Sequence, residues 1–217
     1  MNRDTRPTHP NAVPARLDGW HRCWGHRALT NAHTRSEQTS STDSMHTANH
    51  SGWTVLSVEP KGVKAVLPAG SAAAVDGMIV TVDSSELPAL DAREKGYKRL
   101  ELARSDFDFV HTGSVESDLA STNPADCVAE TVYMYVSEDQ NAAYANAEFP
   151  LLQSYVDCVM AGFETEFGTE GLQRFIDSTL GWSAPMLEDR ADPRYVRSVS
   201  LCTHQAKRYD DLLAERR

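Results

Sequence analysis

About two-thirds of the way along this 217-residue chain, the spacing of the apolar residues changes. From about residue 146 onward, Phe149, Leu152, Val156, Val159, Met160 and Phe163 recur at helical spacing. Gly168 breaks that helix, and a second is expected from near Thr169, carrying Leu172, Phe175 and Ile176. Pro185 and Pro193 mark a loop, and a final charged helix is expected over about Thr203–Glu215. Upstream the apolar residues come instead in short β-rich runs. Leu17–Arg27 reads as a strand with Trp20, Arg22, Trp24 and His26 on one face. Trp53–Val58, Val63–Leu67, Val75–Val82, Tyr97–Leu102 and Glu130–Val136 follow. Strands first and helices afterwards describe an α+β fold. The expected architecture is a mixed or antiparallel sheet, or small β-barrel, with packed helices and a helical C-terminal third. No internal repeat divides the chain, so residues 1–217 read as a single domain.

Two stretches fall outside this pattern. Pro7, Pro10 and Pro14 bias the first 16 residues toward extended chain. Residues 31–52 are rich in Ser, Thr, His and Asn and poor in large apolar groups, so burial cannot offset their ordering entropy. A mobile insertion is expected there. Ala103–Ala125 receives no assignment beyond a Gly-Ser turn near Gly113.

Composition excludes several classes of function. Thirty-one acidic against 21 basic residues give a net charge of −10, the wrong sign for a nucleic-acid footprint. Tyr133 and Tyr135 alternate on a strand without the basic neighbours that an RNA-stacking platform wants, and are expected to pack one sheet face. Cys23, Cys127, Cys158 and Cys202 form no close pair, which argues against a disulfide framework or zinc knuckle. Reduced thiols fit a cytoplasmic protein. Met1–Pro10 has no apolar core of a signal peptide, and no apolar run reaches a membrane span. His46 and His50 have helical spacing but lie in the polar stretch, so a surface loop is favoured over a metal site.

The segment with the most chemistry follows the strand Val75–Val82. Asp83-Ser84-Ser85-Glu86 reads as a capping box, with Asp83 accepting a first-turn amide and Glu86 three residues on. Pro88 is tolerated in a first turn. A short helix should then carry Leu87, Leu90 and Glu94, with Gly96 ending it. On its own, a glutamate between Arg93 and Lys95 is most simply a solvated surface charge. Asp91, three residues earlier, reads as a structural tie between helix and strand. Asp189-Arg190 and Arg194-Tyr195 read as a structural ion-pair region, and Arg22 as the partner of a carboxylate.

Leu90-Asp91-Ala92-Arg93-Glu94-Lys95-Gly96-Tyr97, after Glu86-Leu87-Pro88-Ala89, resembles the signature of the γ-glutamylcyclotransferase family. The resemblance extends upstream through Ala15–Trp20, Arg22 and Trp24. Downstream it runs through Gln153-Ser154-Tyr155, Gly162-Phe163, Gly181-Trp182 and Asp189-Arg190. It implies a cyclising lyase of glutathione-related metabolism that needs no cofactor or metal. Its substrate would be a γ-glutamyl amine, amino acid or peptide, and 5-oxoproline would be released. Glu94 is the implied catalytic acid/base, and Tyr97 the implied substrate-binding residue. The chain departs from the family in one respect: no Tyr-Gly-Ser occurs anywhere. In the family that loop near the N-terminus holds the glutamyl group. The expectation is that Met1 is an internal methionine of a longer protein. The alternative is a catalytically impaired member that acts as a binding or interaction module.

Overall fold

The computed structural model describes residues 12–29, 52–62, 73–109 and 129–216. The expected insertion up to its last residue, the strand expected at Val63–Leu67, the turn near Gly113, Cys127 and the His46/His50 pair lie outside these residues, as do residues 1–11. The described chain is mixed α+β.

The expected strand Leu17–Arg27 is two strands, β1 (Val13–Asp18) and β2 (Trp20–Leu29). Gly19, at φ +79°, makes the corner between them, a conformation glycine reaches without a Cβ clash. Its amide donates to the Ala73 carbonyl and its carbonyl accepts from Lys61. The corner sends the two strands into different sheets. β1 pairs antiparallel with β4 (Ala74–Ile79) and with the short β6 (Phe107–Phe109). Pro14 lies opposite Met78 and beyond the reach of β6, so its missing donor is needed on one side at most.

β2 pairs antiparallel with β3 (Gly52–Pro60) at the centre of a five-stranded sheet. Short parallel partners complete it: β8 (Leu151–Leu152) beside β3, β9 (Thr179–Leu180) beside β2, and β10 (Met186–Leu187) outside β8. β5 (Tyr97–Ala103) and β7 (Thr131–Ser137) form a third, antiparallel ladder. The pairing of β2 shifts between Trp24 and His26, leaving Gly25 as an extra residue. That bulge breaks the two-residue alternation expected from Trp20 to His26.

α2 (Gln153–Ser178) links β8 to β9 and is interrupted at Gly168, as the sequence predicts. It starts later than expected, because Phe149 precedes a proline and Leu151–Leu152 are drawn into the sheet. Trp24 from β2 meets Val156, Met160, Phe163, Leu172, Phe175 and Ile176 from α2 and Trp182 in the main core. Trp24 and Trp182 pack edge to face at 5.0 Å, and Phe163 stacks on Phe175 at 4.3 Å. Each fully buried side chain of this size contributes about 1.5–3 kcal/mol. α3 (Thr203–Ala214) closes the core with Tyr209 and Leu213.

The Asp189-Arg190 region is structural, as expected. Arg190 donates to both oxygens of buried Asp157 at 2.7 and 3.0 Å and reaches Asp210 of α3 at 2.8 Å. Asp189 accepts from the Ser154 amide and hydroxyl at the start of α2. Cys23 and Cys158 are buried, whereas Cys202 is exposed. No described helix is long and apolar enough to cross a membrane.

Candidate functional site

The segment that carries Glu94 is built by local chemistry. The Ser85 amide donates to Asp83 Oδ1 at 2.8 Å, and the Asp83 amide donates to Glu86 Oε2 at 2.9 Å. This is the predicted capping box. A tight turn over Ser84–Glu86 leads into α1 (Leu87–Arg93), with Pro88 in its first turn. Glu94 is not inside the helix, contrary to expectation. It is the C-terminal cap, with φ −86° and ψ 48°, and its amide makes the last bond back to the Leu90 carbonyl. Gly96 at φ +87° then turns the chain into β5. A Cβ there would stand 2.7 Å from Asn141 Nδ2 and 3.2 Å from His26 Cε1. The corner therefore requires glycine for both its backbone angle and its close neighbours.

Side chains anchor the corner. The Tyr135 hydroxyl donates to Asp91 Oδ1 at 2.7 Å, and Arg99 approaches Asp91 at 3.2 Å. Asp91 thus ties α1 to β5 and β7, as the sequence suggested. The Gly96 carbonyl accepts from the Glu138 amide at 2.9 Å and from Asn141 at 3.3 Å.

Glu94 lines a cavity of about 790 Å³ bounded by α1 and by residues of β1, β2, β3, β4, β6 and β7. Its wall is largely apolar, with Leu17, Val58, Val75, Met78, Leu90 and Met134 among the lining groups. Glu94 is about a third exposed, and its Oε1 accepts from Arg93 Nε at 2.9 Å. The carboxylate is therefore accessible but held by a neighbouring cation.

Tyr97 is not among the residues that line this cavity. Its ring stacks on His26, 3.8 Å between centroids and 16° from parallel. His26 Nδ1 lies 2.8 Å from Ser137 Oγ. Burial pushes the His26 pKa down to about 4, so the ring is neutral at pH 7. Burial raises the Tyr97 pKa well above the usual phenol range, with Tyr155 and Glu94 adding to the effect. The hydroxyl stays protonated beside a carboxylate charge.

No family model, curated protein or solved structure matches this chain. Its chemistry is argued from the side chains themselves.

One constellation escaped the sequence reading. Among the described residues, Arg22 makes no ion pair with a carboxylate, although one was expected of it. Its Nη2 donates to the Asp76 main-chain carbonyl, and its guanidinium lies over the rings of Phe163 at 4.7 Å and Phe175 at 5.7 Å. The Asp76 carboxylate instead accepts from Arg16 Nε at 2.8 Å and Arg174 Nε at 2.9 Å. Arg22 and Asp76 line the same cavity as Glu94. These residues come from β1, β2, β4 and α2, so no spacing along the chain announces them. Among the described residues, no group of three or more His, Cys, Asp or Glu side chains is arranged to hold a metal ion.

Proposed function

We propose that this chain is a γ-glutamylcyclotransferase-like lyase that releases 5-oxoproline from a γ-glutamyl amine, amino acid or peptide. The observation that carries the reading is a carboxylate, Glu94, at a braced corner on the wall of a cavity large enough for such a substrate. In this reading the three ladders are the walls of a small mixed barrel around the cavity, within one cytoplasmic domain.

The reaction needs a proton moved twice. The substrate α-amine is an ammonium at neutral pH and cannot attack. Glu94 accepts one ammonium proton, and the freed nitrogen attacks the substrate's own γ-carbonyl carbon. A five-membered ring closes, Glu94 returns the proton to the leaving nitrogen as its bond to that carbon breaks, and the ring nitrogen gives up its second proton to the released amine, which departs as an ammonium. No oxidant or reductant enters. The reacting groups belong to one molecule, so a cavity that holds the substrate folded supplies much of the rate. Tyr97, stacked on His26 and off the cavity wall, takes no part in these proton transfers.

The test is 5-oxoproline release from γ-glutamyl substrates with and without Glu94→Gln. Loss of a base that acts in both proton transfers is expected to slow release by about 100- to 10,000-fold. Equal release by the two proteins would remove Glu94 from the mechanism. A second reading, a binding module without turnover, is favoured by the Arg93–Glu94 ion pair. It predicts ligand binding with no 5-oxoproline from either protein.

A further inference from the structure

The cavity contains a cation that its own fold leaves incompletely satisfied. Arg22 is 7% exposed, and its Nη1 is buried without a hydrogen-bond partner among the described residues. A guanidinium has five donors, and here one bond to a main-chain carbonyl is the only hydrogen bond it makes to a described residue. The nearest carboxylate, Asp76, already serves Arg16 and Arg174. The Asp76 carboxylate is thus shared by two other guanidinium groups, and Arg22 is left with a main-chain carbonyl alone among the described residues. The faces of Phe163 and Phe175 offset part of the burial cost but offer no acceptor in the guanidinium plane. A buried cation with an open donor usually has a counterpart that arrives with a ligand.

We infer that Arg22 is the anchor for a carboxylate of the bound ligand, so that the cavity selects small molecules bearing a carboxylate as well as the amine that Glu94 addresses. Planar, paired donors fit a carboxylate better than a point charge does. The apolar wall between the polar groups accommodates methylenes. Burial lowers the Arg22 pKa to about 10, which leaves it a cation at neutral pH. Two ends of opposite charge joined by a short aliphatic stem describe an amino-acid-like ligand. That last step rests on the proposed role of Glu94; the carboxylate anchor does not.

The probes are glutarate, its uncharged diamide and inorganic phosphate, titrated calorimetrically into the wild-type protein and into Arg22→Met. Methionine suits the Phe163–Phe175 surroundings and spans a similar path, and thermal unfolding checks that the variant folds. Glutarate should bind the wild type and lose on the order of 10- to 100-fold in affinity in Arg22→Met. The diamide should bind both proteins equally weakly. Arg22→Lys should recover only part of the loss. Should Arg22→Met fail to fold, the ¹⁵N signal of the wild-type Arg22 side chain is followed instead, and glutarate should shift it. Wild-type protein that ignores glutarate, an unmoved Arg22 signal, or equal affinity in a folded Arg22→Met protein would overturn the inference. Phosphate binding as tightly as glutarate would overturn the carboxylate preference. Glu94→Gln should not weaken glutarate binding, because it removes a negative charge from the same wall. A Glu94→Gln protein that still releases 5-oxoproline would therefore sink the catalytic reading while leaving the anchor standing.

Discussion

His26 shows how one side chain can link stability to pH. Its folded pKa of about 4 lies below that of a free imidazole because burial disfavours the charged ring. Between pH 6.5 and about 4 the unfolded chain therefore binds a proton that the folded chain does not, and stability falls as pH falls through that window. The full effect is on the order of 3 kcal/mol. His21, fully buried beside Glu59 and also depressed by burial, adds loss in the same direction. His26→Gln keeps a polar group near Ser137 but does not titrate. Urea unfolding of both proteins from pH 7 to pH 4 should show a shallower decline in the variant. Gly96 is the second residue with a sharp consequence. Gly96→Ala should cost about 1–3 kcal/mol, because it combines a positive φ with a collision against Asn141. The same change should slow 5-oxoproline release by displacing the Glu94 corner, measured at a temperature where the variant remains folded.

α1 is one short helix whose existence depends on its ends. Seven residues are too few to hold a helix by propensity alone. The capping box at Asp83 and Glu86, Pro88 and the tie from Asp91 to Tyr135 compensate. Asp83→Ala should lower the thermal unfolding midpoint, because it removes the acceptor of the Ser85 amide. It should also lower turnover more than the distant cap loss alone would suggest, because Glu94 is the C-terminal cap of that helix. This element was legible in the sequence because capping, proline and glycine signals are all local. The boundary of α2 was less so. Phe149 and Leu152 keep helical spacing with Val156, yet Pro150 and the pairing of Leu151 with Thr54 and Met186 place them in strand and loop. β2 misled for a similar reason. Its alternation looks continuous in sequence, and only pairing with β3 reveals the extra residue at Gly25.

Across the molecule, charged pairs lock the helical part in place. Arg190 joins Asp157 of α2 to Asp210 of α3, and Asp157 is almost wholly buried. Arg190→Met should leave that carboxylate without its cation and cost about 3–5 kcal/mol, read as a lower urea midpoint. Replacing both partners, with Asp157→Leu added, should recover much of the loss, since two apolar groups strand no charge. If the single and double variants are equally unstable, packing rather than charge explains the effect.

The sequence by itself determined the α+β class, the switch from sheet to helix, the break at Gly168 and the capped start of the helix that leads to Glu94. Each follows from forces that act within a few residues: side-chain period, caps, and the backbone limits of glycine and proline. Tertiary structure alone decided that Arg22, Asp76, Arg16 and Arg174 meet, and that Arg22 and Asp76 share a cavity with Glu94. Arg22 and Asp76 are 54 positions apart, and Asp76 and Arg174 are 98 apart. Their contact depends on which strands pair, in which register, and on where α2 comes to rest. Tertiary structure also stacked Tyr97 on His26, away from the cavity, which no residue of β5 lines.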